Sequence, residues 1–133
     1  MDNAEVARWF GRYLETFAAL GRGEVKDVGL ILAHYGVPLT LSTDDEHLIL
    51  TDASQVVSAA QQQFDALRAD GYDHSEVLAA ESKVLNGGCA LHHGRFARIR
   101  SDGSEMSRFE STYLIVDGPA GLRISVLVRH APH

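Results

Sequence analysis

Between Leu78 and His130 the chain holds four apolar-rich segments separated by Asn86-Gly87-Gly88, Ser101-Asp102-Gly103-Ser104 and Asp117-Gly118-Pro119-Ala120-Gly121. Each interruption carries the glycine, asparagine, aspartate or proline chemistry that reverses a strand. The stretch therefore predicts an antiparallel meander, and its strands, at roughly 10–12 residues, run about twice the usual length. Strands that long must twist and curl together. A curled sheet has a hollow side, and the hollow needs a cover.

The N-terminal half supplies the cover. Val6, Trp9, Phe10, Tyr13, Leu14 and Phe17 recur at helical spacing, with Asp2 and Glu5 as a capping pair and Gly21 as the stop. A shorter helix is expected from Glu24 to about His34, weakened by Gly29. Val37 to Thr43 and His47 to Thr51 read as a hairpin across Asp44-Asp45-Glu46, the first strand being an edge or strand start because of Pro38. Asp52 with Gln55 opens a third helix, which buries Val56, Ala60, Phe64 and Leu67 and ends at Gly71. The expected order is α-α-β-β-α-β-β-β-β over residues 1–133 as one domain, an α+β fold whose curved, mainly antiparallel sheet wraps over three helices.

Taking Asp102-Gly103 as a two-residue turn places Ser101 opposite Ser104 and sets the pairs His92/Tyr113, Gly94/Ser111, Phe96/Phe109 and, on the other face, Arg95/Glu110. Extending the pairing through the neighbouring turns gives three inward rows: Leu78, Phe96, Phe109, His130; Ala80, Gly94, Ser111, Val128; Ser82, His92, Tyr113, Val126. The middle row has almost no side chain on three of its four positions. Either aromatic rings of the first helix fill that groove or it is a ligand cavity.

Other classes are disfavoured by composition. A net charge of -6 opposes phosphate-backbone binding. No apolar run approaches a membrane span, and the acidic start of the chain is unlike a secretory signal, so a cytoplasmic location is expected. The single cysteine, Cys89, permits no internal disulfide. His92 and His93, adjacent on one strand, point to opposite faces and cannot share an ion. No HxxxH or His-carboxylate cluster stands out elsewhere, so neither metal nor cofactor is expected.

The layout resembles the cone-shaped nuclear-transport-factor-like superfamily that includes ketosteroid isomerases and SnoaL-type polyketide cyclases. Carrying the resemblance are Arg12-Tyr13-Leu14-Glu15-Thr16-Phe17, Ala69-Asp70-Gly71-Tyr72, Arg108 to Leu114 and Leu122 to Val128. It implies a cystatin-like cone with a small-molecule pocket. Tyr13 matches the oxyanion tyrosine of the isomerases, but their base and second-donor positions fall near Thr40 and Thr112, which cannot do that chemistry. The cyclases' inward carboxylate is missing from the last four strands.

His92 and Tyr113 are the candidate base and donor; the alternative is a buried histidine that holds one wall. Tyr13, Trp9, Phe17, Ser82, Gly94, Phe96, Phe109, Ser111, Val128 and His130 are the candidate ligand-binding residues. His34 at a helix end suits the dipole there. The expected function is holding a small, mainly apolar organic molecule, with or without isomerase, cyclase or hydrolase chemistry; the alternative is a structural module with a filled cone. Leu91, Thr112, Leu114 and Leu127, among Arg95, Glu110 and Arg129, are expected on the outer face, where two copies would pair.

Overall fold

The computed structural model describes residues 1–130. Helix α1 (Asn3–Gly21) is followed by a 3₁₀ helix (Val28–Ala33), strands β1 (Tyr35–Ser42) and β2 (His47–Leu50), helix α2 (Ala53–Ala69), and strands β3 (Tyr72–Asn86), β4 (Cys89–Arg100), β5 (Glu105–Gly118) and β6 (Gly121–His130). The strands form one curved sheet in the order β2-β1-β6-β5-β4-β3, antiparallel except for β1 beside β6. The element order is the expected one, and β3 and β5, at 15 and 14 residues, are longer than expected.

Local signals explain the helices. The Asp2 side chain accepts from the Glu5 amide, and the Asp52 side chain from the Gln55 amide, each satisfying an amide of the first turn. Gln55 Oε1 accepts in return from Thr51 N at 2.7 Å. Val56, Ala60, Phe64 and Leu67 are the buried face of α2, and Gly71, at φ +83°, turns the chain out of it. At the end of α1 the reason differs from the expected one. Gly21 is still helical, and what requires it is the Tyr72 ring, whose Cε2 would lie 2.7 Å from an added Cβ. Of the second expected helix only six residues form, as a 3₁₀ segment capped by Asp27. A segment of six residues with Gly29 in its second position has little to sustain an α-helix.

Strand β1 is internal, not an edge. Pro38 is tolerated because the β1–β6 ladder is broken between Tyr35 and Thr40, where no amide hydrogen is needed. In the centre of the sheet all four expected β4–β5 pairs form. The turn itself is one residue longer than expected: Arg100 N donates to Ser104 O, Gly103 takes φ +88°, and a register shift beyond Arg98 restores the step.

Two further bulges overturn expected placements. On β3 the shift between Val77 and Ala79 pairs Val77 with Phe96 and leaves Leu78 unpaired and exposed. On β6 Ser125 is the extra residue between Ile124, which faces Ile115, and Val126, which faces Leu114. The β1–β6 ladder breaks step at the same place. One extra residue exchanges the faces of everything after it. Leu127 and Arg129 therefore turn inward opposite Tyr113 and Ser111, while Val126, Val128 and His130 turn outward, contrary to the expected rows.

The core lies between the concave face and the helices: Phe10, Phe17, Phe64, Phe96, Tyr113, Ile115, Ile124 and Leu127 are all buried. No helix among the described residues is long and apolar enough to cross a membrane.

Candidate functional site

Gly94 and Ser111 face inward and are buried, and of the two alternatives for the groove they form, filled or a ligand cavity, the filled one is found. The ring of Phe96 folds back across Gly94, where an added Cβ would sit 2.3 Å from Cζ, and Phe10 from α1 stacks on His92 with centroids 3.8 Å apart. A helix turn presenting aromatics every third or fourth residue to a row of small residues fills it by its own dispersion energy. Ala80 meanwhile lies exposed on the edge strand.

His92 and Tyr113 are cross-strand neighbours, with ring centroids 6.2 Å apart. The partner of His92 is Ser82, whose Oγ lies 2.7 Å from Nδ1, while Nε2 is buried without a hydrogen-bond partner among the described residues. Burial, with His93 nearby, lowers the His92 pKa to about 4, so the ring is neutral at neutral pH. Burial pushes the Tyr113 hydroxyl up to about 12. His34 is buried too, edge-on to Trp9 and Tyr13, with Thr16 Oγ1 3.1 Å from Nε2. Burial, followed by Arg123 and Arg12, lowers its pKa to about 4; a neutral ring makes no use of a helix dipole, contrary to the expected role.

Tyr13 meets a residue that sequence reasoning passed over. Its hydroxyl lies 2.8 Å from that of Tyr35, and both phenols are pushed above their ordinary range by burial. Arg98, also passed over, and Arg129, expected on the outer face, extend toward the same region. Both guanidiniums lie over the Phe109 ring, at 4.6 and 4.5 Å. Nε and Nη2 of Arg98 and Nε of Arg129 are buried with no hydrogen-bond partner, and among the described residues neither arginine has an ion-pair partner. Desolvation, then repulsion from Arg129, lowers the Arg98 pKa to about 10. Arg98 was legible, since the expected register already puts it two residues beyond Phe96 on the inner face. Arg129 was not, because the β6 bulge alone turns it in.

Two cavities meet at Arg129. Tyr13, Phe17, Phe96, Phe109 and Tyr113, with Arg98 and Arg129, surround a void of only about 10 Å³, room for about one water. Beyond it, between α2 and the β1–β2 hairpin, lies a cavity of about 330 Å³. Tyr35, Leu39, Leu41, Leu48, Leu50, Val56, Ala59, Ala60 and Leu127 give it apolar walls; Arg129 stands at one side, and Thr43, Glu46 and Gln62 are exposed at its rim. None of the expected ligand residues lines this larger cavity. A groove of about 480 Å³ that shares Leu50, Ala59 and Gln62 with this cavity, and one of about 420 Å³ beside Pro38 and Pro119, are more open.

The outer face gathers another group that the sequence did not reveal. Contrary to the expected absence of a His-carboxylate cluster, His93, Glu110 and His130 converge there. They come from three strands, and His130 joins them only because of the bulge at Ser125.

A family model described as NTF2-like protein (DUF6841) matches residues 4–132. No curated protein matches the sequence. Among solved structures, a Nostoc punctiforme protein of unknown function with a cystatin-like fold is similar at TM-score 0.74 and 12% identity, over 97% of this chain and 90% of that one. An NTF2-like protein with a cystatin-like fold from Novosphingobium aromaticivorans gives 0.70 and 16%, over 96% and 80%. A nuclear transport factor 2 (NTF2-like) superfamily protein from Salmonella enterica serovar Typhimurium gives 0.68 and 17%, over 98% and 90%.

Proposed function

The chain belongs to the NTF2-like family described as DUF6841, and on that premise we propose that it binds a small, mainly apolar organic acid in the cavity between α2 and the β1–β2 hairpin. The observation that carries the reading is the cavity of about 330 Å³, largely apolar-walled and lined at one side by Arg129. That volume is at the lower end of what small-molecule sites use, and a few placed polar groups in apolar walls are their usual composition. An arginine with no carboxylate partner among the described residues favours an anionic ligand group, because its desolvation is offset only when a counter-charge arrives. A planar carboxylate matches the guanidinium's paired donors. The apolar body of the ligand would lie along Leu39, Leu41 and Leu127, away from the exposed Glu46.

A reaction at His92 and Tyr113 would require Phe10 to leave the face of His92, so binding without turnover is the reading we adopt. Calorimetric titration of alkyl and aryl carboxylic acids against their primary amides tests it. The acids should bind about ten- to a hundredfold more tightly, the worth of a charged hydrogen bond, and Arg129→Met should remove the preference. Acids and amides binding alike, or neither binding, would refute the proposal.

The outer sheet face is also read as a dimerisation surface. Leu91, Leu114, Val126 and Val128 lie there beside Arg95 and Glu110, with Leu127 and Arg129 now excluded from it. Light scattering on the purified chain at micromolar concentration should give twice the chain mass; a monomer mass would remove this assignment.

A further inference from the structure

The outer-face cluster is independent of the ligand cavity and has the geometry of a coordination site. His93 on β4, Glu110 on β5 and His130 on β6 bring their donor atoms within 4.8 Å of one another. Glu110 Oε2 is 3.2 Å from His93 Nε2 and 3.6 Å from His130 Nδ1. An ion with tetrahedral bonds of about 2.0–2.1 Å holds its ligand atoms about 3.3 Å apart. Both separations bracket that value. They are also long for hydrogen bonds to a carboxylate, which close to about 2.7–2.9 Å when nothing else holds the groups apart.

The surroundings fix the donors as a metal site requires. His93 Nδ1 lies 2.8 Å from Thr112 Oγ1, so the hydroxyl can accept from Nδ1–H and leave the Nε2 lone pair directed at Glu110. Arg95 Nε lies 3.3 Å from Oε1 of Glu110, on the side of the carboxylate away from Oε2, the oxygen that faces the two imidazoles. The Glu110 side chain is 10% exposed, whereas those of His93 and His130 are 41% and 28% exposed. The carboxylate is thus sunk in the sheet with both imidazoles on its outer side, so an ion there has a position open to solvent in one chain and facing the second copy in the proposed dimer.

We propose that His93, Glu110 and His130 form a mononuclear site for a divalent cation of the zinc type on the outer face of the sheet. Two imidazoles and one carboxylate suit zinc or its borderline neighbours and do not suit calcium or magnesium, which take oxygen ligands. A bound ion would tie β4, β5 and β6 together through side chains beyond their backbone ladders.

Zinc titration of the tag-free full chain, by calorimetry and by the visible absorption of cobalt as substitute, tests the site. The wild type should take up one ion per chain and melt at a higher temperature with zinc, since an ion bound only by the folded chain stabilises it by mass action. His93→Ala, at a half-exposed position, should fold normally and lose affinity by about a hundredfold or more, with Thr112→Val losing about tenfold. Magnesium should produce no melting shift. A wild type that binds no zinc, or one whose affinity His93→Ala and His130→Ala leave unchanged, would overturn the proposal; unchanged affinity would identify the bound ion as adventitious.

Discussion

Phe96→Ala is expected to lower the free energy of unfolding by about 3–5 kcal/mol, the usual cost of removing a buried phenylalanine ring. Phe96 is 1% exposed, lies in offset contact with Phe10 and Phe109, and covers the backbone of Gly94. Its removal would open the groove that the row of small residues would otherwise leave. Gly94→Ala makes the complementary disturbance, because its new methyl would meet the Phe96 ring at 2.3 Å. In the wild-type background that overpacking should cost about 1–3 kcal/mol. In the Phe96→Ala background it should cost far less, since the obstructing ring is gone. Urea denaturation of both single variants and the double variant measures the coupling. Additive losses would mean that Phe96 does not occupy the space above Gly94.

Acidification from pH 7 to 4 is expected to destabilise the protein through His34 and His92 by about 4 kcal/mol together, about 2 kcal/mol each after allowance for partial hydration around the rings. The direction follows from proton counting. Both folded pKa values lie near 4, below the ordinary value of 6.5, so between those limits the unfolded chain binds more protons than the folded one. Stability from this source is fully present above pH 6.5 and is lost as pH falls through 4. The structural cause is visible at each ring. A protonated imidazole carries a hydrogen on both ring nitrogens, so His34 Nδ1 and His92 Nε2 would each be a buried donor with nothing among the described residues to accept from it. The double variant His34→Gln, His92→Gln should retain that stability on acidification, while carboxylate titrations common to both proteins cancel in the difference. Equal slopes for wild type and variant would exclude these two histidines as the source.

Much of the fold is legible because its signals are local. Asp2 and Asp52 cap the helices they precede, Gln55 closes the second cap from inside α2, and the stripe Val56, Ala60, Phe64, Leu67 faces the core as its spacing demands. The central pairing survives an incorrect turn length because alternation of apolar and polar residues over β4 and β5 selects one register. The candidate site is legible only in part. Tyr13, Phe96, Phe109 and Tyr113 do gather inside the cone, yet the space between them is almost closed. The larger cavity is built from β1, β2 and α2, whose approach to β6 no single segment encodes.

The sequence by itself determined the element order, the helix boundaries set by caps, and the inward faces of β4 and β5, since periodicity and turn chemistry act within a few residues. Tertiary structure alone decided three things: that Phe10 and Phe96 fill the row of small side chains, that the unpaired Ser125 turns Arg129 into the cone, and that the same step brings His130 out to Glu110 and His93. A bulge is one residue without a partner, chosen by the strands on both sides of it. Its consequence reaches every side chain that follows, and no pattern within the strand announces it.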